Sequence, residues 1–590
     1  MPLTADEVAR VRRSYDWLAG LAGGLHWVES SPRSGKAVVA SWWPSPGSRT
    51  RVSELPADSV GSTLHAYGGM PYGWLPSHGM VLVDASAGQL HGVAGLPATA
   101  HSYGDLAGSG DELLCVREDD GGDELVAIEP ATGTCRVLRA TDGFLASPTP
   151  GRDRLAWVQW DRAVMPWDSS EIWIADRTAY GSIGRPRRVA GGPDESAVQP
   201  RWGEDGALYF LSDRSGWWNL YRWSVGGTEA LAPMDVDCAR APWESTYADY
   251  VLLPENRIGM VVQRGPSHHL VLVEPDGEVV RIELPYTSIK PYLAALGSRI
   301  ALIGSSPTRA QEVVLVETDG SDKIEIIRAG TDRADLAAVL SIPEVMRFSS
   351  AGIEVTGLFY PAATGGAPAP LIVRPHPGPT HQSNLRLDWE VQFFTSRGFA
   401  VVDVDYRGST GYGRQFRKAL DGHWGRFDVE DCRTVALHLI ENGSARRGAV
   451  FISGASAGGY TALRAVSEDG PFALAVARSA IVDPGRWTVT APRFQRPHAA
   501  VLAGADGRVA ATEVLRPVLL IHGVEDPVAP IADVIELADA LNDRQLLVRM
   551  IRLDGVGHYL SDAATLSAAL EAELDAYRAV LRSAGISPAE

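Results

Sequence analysis

From about residue 25 to residue 340 the sequence is a steady succession of short β-forming runs, with no long helical pattern between them. GKAVVASWW, DELLCVRED, DRLAWVQWD, GALYFLSD, HHLVLVEP and SRIALIGSS are typical, each bounded by Gly, Asp, Pro or Asn. β-Branched and aromatic residues alternating with polar ones suit half-buried strands, and the intervening turn residues close hairpins. Roughly 315 residues of this rhythm exceed one sandwich; divided by a blade of about 40–50 residues, they predict a propeller of about six to eight blades. One unit is clear in PRWGEDGALYFLSDRSGWWNLYRW: a turn at Asp205-Gly206, a strand over 207–211, a turn over 212–216 and a strand over 217–223. Its adjacent Trp217 and Trp218 are expected to pack between blades rather than to cage a ligand.

Past Ile342 apolar strands alternate with helical patterns. APLIVRP, FAVVDVDYRG, AVFISG, PVLLIHG and LLVRMIRL are the strands, and helices are expected near 388–397, 429–441, 459–467 and 563–584. Buried strands alternating with helices predict a doubly wound, mostly parallel sheet. The expected division is an N-terminal segment 1–24, a propeller 25–340 and an α/β domain 341–590.

With 45% apolar and 21% charged residues, material for sizeable cores is ample. A formal charge of −18 excludes nucleic acid as an expected partner, since phosphate binding needs a basic surface. The plain reading of that charge is a solvated acidic surface; an acidic field also favours the approach of cationic ligands such as a free amino terminus. The four cysteines, Cys115, Cys135, Cys238 and Cys432, show neither C-x-x-C spacing nor a disulfide framework, so no metal site or redox pair is expected. No cofactor is expected either. The first twenty residues lack the apolar core of a signal peptide, and no stretch reaches the ~18 apolar residues of a membrane span. A cytoplasmic protein with no membrane partner is expected.

The chemistry centres on Gly454-Ala455-Ser456-Ala457-Gly458, which follows the apolar strand AVFIS and precedes a helical pattern. G-x-S-x-G in a strand–turn–helix setting is a nucleophile elbow, where a very tight turn lifts the serine oxygen to the carboxyl end of the sheet. A serine hydroxyl needs a base to take its proton, and in such a sheet the order is serine, acid, histidine. Asp526, in HGVEDPVAP, and His558, in DGVGHYL, follow in that order, each just after a strand. Glu525, Asp554 and His522 are neighbouring competitors. His522 stands four residues before the proposed acid and is poorly placed to be the base.

A tetrahedral intermediate also needs hydrogen-bond donors for its oxyanion. The amide of Ala457 is expected as one. For the second, the amide of Gly378 in RPHPGPTHQ and the phenol of Tyr412 in DYRGSTGYGRQF are both candidates.

These motifs resemble the prolyl oligopeptidase family of serine peptidases, in its bacterial acylaminoacyl-peptidase and aminopeptidase branch. The resemblance rests on PHPGPT, FAVVDVDYRGSTGYGRQFRKAL, WGRFDVEDC, GASAGGYTAL, LLIHGVEDPVAP and GVGHYL, and earlier on YGG, MPWDSSEIWIAD, QPRW and LSDRSGWWNLYRW. It implies a seven-bladed propeller capping an α/β-hydrolase, an active site between the two, and Ser456, Asp526 and His558 as the triad. The branch favours the glycine amide as second oxyanion donor. Two departures stand out. His376-Pro377-Gly378-Pro379 replaces the usual His-Gly-Gly-Pro, and TAPRFQRPHAAVLAG lacks an expected Phe-Glu-Ser-x-Tyr. That second stretch helps shape the pocket, so substrate preference does not carry over.

The expected function is hydrolysis of amide bonds in short peptides from the amino end, by an acyl-enzyme route. The same groups would serve to cleave an aminoacyl-amide natural product of the puromycin kind. A non-catalytic propeller scaffold is the alternative from another class. Oligomeric state is not legible in the sequence.

Overall fold

The computed structural model describes residues 2–31, 35–45, 51–52, 59–86, 88–96, 101–178, 181–321, 323–331, 340–503 and 507–586. Within these, seven antiparallel sheets occur in succession, beginning with the strand Ser14–Leu21 and ending with Ile324–Arg328. Six hold four or five strands and one, Tyr72 to His91, holds three. They form a seven-bladed propeller, and strands such as Ser14–Leu21, Ser102–Ser109, Phe144–Pro150 and Ala197–Trp202 line its central channel.

Among the described residues no blade is shared between the two ends of the propeller: the first sheet spans 14–52 and the last 288–328. Side chains join them instead. Arg328 donates to Glu29 at 2.7 and 3.1 Å, Lys290 to Asp16 at 2.5 Å, and Tyr15 to the carbonyl of Ala329 at 2.9 Å.

The expected division after residue 24 does not hold. Ser14–Leu21 is already the first propeller strand, and the preceding helix Ala5–Arg10 belongs with the other domain. A Thr4–Glu7 capping box starts that helix, and its Ala5, Val8 and Ala9 join Leu570, Leu574 and Tyr577 in one apolar cluster. The amino terminus therefore ties the two domains together.

The second domain is built on an eight-stranded sheet. Its strands are Glu344–Ser350, Ile353–Tyr360, Ala369–Pro375, Ala400–Asp405, Ala445–Ala455, Phe472–Arg478, Val518–Gly523 and Leu547–Leu553. Counted along the chain, they lie side by side as 1-2-4-3-5-6-7-8. Ile353–Tyr360 pairs antiparallel with both its neighbours, Glu344–Ser350 and Ala400–Asp405, and every other neighbouring pair is parallel. This is an α/β-hydrolase sheet. Its central strands are apolar because helices cover both faces: Leu371, Val373, Val450 and Ile452 face one cluster, Ile372, Phe451, Val476 and Leu519 the other. No helix among the described residues is long and apolar enough to cross a membrane.

Trp217 and Trp218 do more than pack between blades. Trp218 is fully buried under the Arg417 guanidinium, 3.9 Å from its ring, and Trp217 lies against Gly413, so both face the hydrolase domain.

Candidate active site

The strand Ala445–Ala455 runs straight into the helix Ala457–Ala465, leaving Ser456 alone to make the turn at φ 53°, ψ −119°. That left-handed conformation is costly for a residue with a side chain, of order 1–3 kcal/mol, and persists where surroundings enforce it. Here the flanking glycines permit it. A Cβ on Gly454 would stand 2.1 Å from the carbonyl oxygen of Gly458, and one on Gly458 would stand 2.4 Å from that of Pro375. The Ser456 amide donates to the Arg478 carbonyl at 2.9 Å, pinning the elbow to the next strand.

The loops carrying the other two residues are held together by backbone. Val524 N–H donates to the Leu553 carbonyl and Glu525 N–H to that of Val556, both at 3.0 Å. Gly523 allows this closeness, since a Cβ there would sit 2.2 Å from the Gly557 oxygen. His558 Nε2 thereby lies 3.0 Å from Ser456 Oγ, and His558 Nδ1 lies 2.8 Å from Asp526 Oδ2. Asp526 is oriented in turn, its Oδ1 accepting the amides of Val528 at 2.8 Å and Ala529 at 2.9 Å. With Nδ1–H donating to the carboxylate, Nε2 is left to accept the serine proton.

The competitors take other places. Glu525 and Asp554 are exposed. His522 is buried and bonded through Nε2 to the Ala529 carbonyl at 2.8 Å. Burial holds its imidazole below the usual range, against opposing pulls from that carbonyl and from Asp526. It supports the acid loop from beneath.

The expected oxyanion donors are arranged differently. The Ala457 amide donates to the Pro377 carbonyl at 3.1 Å. In a trans peptide the next N–H points the opposite way, so the Gly378 amide faces away from Ala457. Tyr412 is engaged elsewhere: its phenol donates to Asp405 Oδ2 at 2.6 Å, within the domain interface against Gly265. His376 Nδ1, 2.6 Å from the Gly378 carbonyl, and the Tyr406 hydroxyl, 3.2 Å from it, hold the Pro377–Gly378 loop as it stands.

Residues 385–583 match the prolyl oligopeptidase family. The solved structure of a puromycin-hydrolysing peptidase from Mycobacterium tuberculosis is 30% identical, with a TM-score of 0.90, over 98% of this chain and 96% of that one. The chain belongs to the prolyl oligopeptidase family. A puromycin hydrolase structure is 27% identical with a TM-score of 0.92, over 100% of this chain and 97% of that one. The acylamino-acid-releasing enzyme of Homo sapiens is 25% identical over 50% of this chain and 42% of that protein. The chain spans less than half the length of the curated relatives it matches.

Beside the triad, Tyr559, next to His558, is 61% exposed. Its phenol is held above the usual range, first by the surrounding walls and then by the carboxylates of Glu244 and Asp526. Glu244 comes from the propeller. It bonds to the Tyr292 hydroxyl, and burial, with the charge of Asp16, pushes its carboxyl up to about 7.

The stretch that departs from the family pattern packs against the propeller. Arg493 reaches into the propeller to bond Glu118 at 3.0 Å and also Asp123, which pairs with His65 at 2.7 Å. His65, Glu118 and Asp123 are donors of metal-binding type, but this guanidinium bridges the two carboxylates. Phe494 inserts among His65, Tyr67, Trp167 and Trp243, and Gln495 bonds the Tyr67 hydroxyl. Sequence reasoning flagged this stretch and missed Glu244 and Tyr67. Only the YGG motif at Tyr67 gave a signal.

Proposed function

We propose that this protein is a serine peptidase that hydrolyses amide bonds of short peptides near their amino end, with Ser456 as nucleophile, His558 as general base and Asp526 orienting it. The carrying observation is the unbroken hydrogen-bonded line from Ser456 Oγ through the imidazole to Asp526. In the acylation step Ser456 Oγ bonds to the substrate carbonyl carbon as its proton passes to His558 Nε2. That proton then goes to the departing amine, and water attacks the acyl-enzyme with the same base.

The oxyanion requires that the Pro377 carbonyl leave Ala457. Rotation of the Pro377–Gly378 peptide removes that oxygen and turns the Gly378 N–H inward in one motion, supplying both donors. Gly378 suits this role because it carries no side chain beside Trp243, whose ring would stand 3.1 Å from a Cβ.

Glu244 supports a preference for a free amino terminus, since a propeller carboxylate within electrostatic reach of Tyr559, the neighbour of His558, is what an ammonium group needs. The likeness to two puromycin-hydrolysing proteins favours a second reading, cleavage of the aminoacyl amide of a small natural product. Measuring kcat/KM on aminoacyl anilides, N-acetylated anilides and puromycin separates the readings. Replacement of Ser456 by Ala is expected to abolish turnover of all three with the fold intact; retained turnover would remove the proposal.

The four cysteines are unpaired, which fits a cytoplasmic location. The charge of −18 speaks against a nucleic-acid partner.

A further inference from the structure

Four strands lining the propeller channel share one irregularity. Their pairing slips between Asp16 and Ala19, Gly104 and Ala107, Ala146 and Thr149, and Val198 and Arg201. Each slip contains a residue at positive φ: Trp17 at 57°, Asp105 at 56°, Ser147 at 52° and Gln199 at 57°. Ala19, Ala107, Thr149 and Arg201 therefore occupy the same place in four blades. Three are small and uncharged, and the fourth is an arginine.

The channel they line is a cavity of about 470 Å³. Asp105 and Arg201 are the charged residues among the described residues of its wall. Asp105 is fully occupied, accepting the Ser147 amide at 2.7 Å, the Ser245 hydroxyl at 2.5 Å and the Thr246 hydroxyl. Arg201 is not. Its side chain makes no hydrogen bond or ion pair among the described residues, and its Nε is buried without a partner. The guanidinium lies 5.6 Å from the Tyr250 ring. Asp249 is within electrostatic reach, but its oxygens are engaged by Arg240 at 3.1 Å and Gln199 at 2.8 Å.

A guanidinium whose Nε is buried without a hydrogen-bond partner favours a ligand that supplies one, and arginine does not relieve the deficit by losing its proton. Its planar fork matches a carboxylate in two parallel hydrogen bonds. The rest of the wall, including Leu18, Trp74, Pro148, Pro200 and Leu293, is uncharged and suits a neutral peptide chain. The channel also adjoins the interdomain space, because Ser147, Gln199 and Tyr247 line both it and the smaller pocket holding Trp243 and Phe494.

We infer that Arg201 binds the C-terminal carboxylate of a peptide whose amino end lies at Ser456, so that the propeller channel selects short peptides with a free carboxyl end. This rests on the peptidase reading above and adds a specificity-determining residue to it.

The test compares peptides of two to eight residues sharing one amino-terminal residue, each as free acid and as C-terminal amide, on the wild-type protein and on Arg201→Met. Over a window of lengths the free acid is expected to be favoured about tenfold in kcat/KM, mainly through KM, as befits a charge-assisted hydrogen bond. Arg201→Met is expected to erase that ratio while turnover of a single-residue anilide stays unchanged, and Arg201→Lys to restore part of it. A ratio near one at every length, or one that Arg201→Met leaves intact, overturns the assignment. So does inhibition by inorganic phosphate without any free-acid preference, which would mark a site for free anions. Calorimetric binding of the same peptides to Ser456→Ala protein reads the preference without turnover, so failure of the peptidase reading and failure of the Arg201 assignment are told apart.

Discussion

Arg417 of the hydrolase domain and Asp213 of the propeller meet at 2.5 Å, with side chains 1% and 0% exposed. Arg414 binds the same carboxylate oxygen at 2.6 Å, and Asp213 Oδ1 accepts the Ser196 amide at 2.7 Å. Beside them the Gly413 amide donates to Asp237 at 3.0 Å. Removing Asp213 strands two desolvated guanidinium groups. Asp213→Ala is expected to destabilise the protein by about 3–5 kcal/mol, the cost of breaking a buried ion pair from one side. An unchanged thermal midpoint would mean that the domains do not depend on this contact.

Asp526 has a double task, which separates its chemistry from its structural role. In Asp526→Asn the amide oxygen still accepts from Val528 and Ala529, so the loop is expected to keep its shape. The amide no longer fixes the imidazole with Nε2 free, and kcat is expected to fall by about 10⁴-fold with little change in melting temperature. A drop of only a few-fold would disqualify Asp526 as the orienting acid.

The elbow has no room at Gly458, where an added Cβ meets the Pro375 carbonyl at 2.4 Å. Both partners are backbone and neither side has a flexible end to yield. Gly458→Ala is expected to cost at least about 1–3 kcal/mol of overpacking and to displace the serine oxygen. Loss of turnover together with a lowered melting temperature is the signature, in contrast to Ser456→Ala, which is expected to lose turnover alone.

Burial lowers His381 to about 4, with Arg386 assisting, and His498 to about 3. Both are neutral in the fold, whereas an unfolded histidine titrates near 6.5. As pH falls below that value the unfolded chain takes up protons first, so the stability these residues contribute is complete above about 6.5 and is lost progressively toward 3–4. Asp405 and Asp428, raised by burial to about 6, act in the opposite sense between about 4 and 6. The difference between wild type and His498→Gln isolates one contribution. The variant's melting temperature is expected to decline less steeply between pH 7 and pH 4; parallel curves would refute a neutral buried His498.

Glu244 links pH to substrate choice. With its carboxyl pushed up to about 7, it loses charge as pH drops through neutrality. The ratio of kcat/KM on a free aminoacyl anilide to that on its N-acetylated counterpart is expected to fall below pH 7, where the substrate's own amine is already protonated. Glu244→Gln is expected to flatten that ratio below pH 7. A ratio that keeps its pH dependence in the variant would assign amine recognition elsewhere.

Much of this architecture is written in local pattern. Period-two alternation with regular turns marked the blades, and strand–helix alternation marked the parallel sheet, because each pattern reflects which side of one element meets water. The elbow was legible for the same reason: glycine spacing around a serine between a strand and a helix is a local steric requirement. The order of Asp526 and His558 after it placed both at strand ends.

What the sequence left open depends on the directions in which distant backbones point. The residues alone leave Tyr412 and Gly378 both open as oxyanion donors; in the fold the Tyr412 hydroxyl lies on Asp405, and the Ala457 amide is held by Pro377. The helix Ala5–Arg10 carries a clear capping box, yet nothing in its residues says that it packs on the last helix rather than on the propeller beside it. Glu244 and Arg201 look like ordinary surface charges in a strand-rich sequence. Their surroundings come from distant parts of the chain, Asp16 and Tyr292 beside Glu244, Tyr250 and Leu293 on the walls around Arg201, and desolvation, which gives a charge its chemical value, is a property of the assembled walls alone.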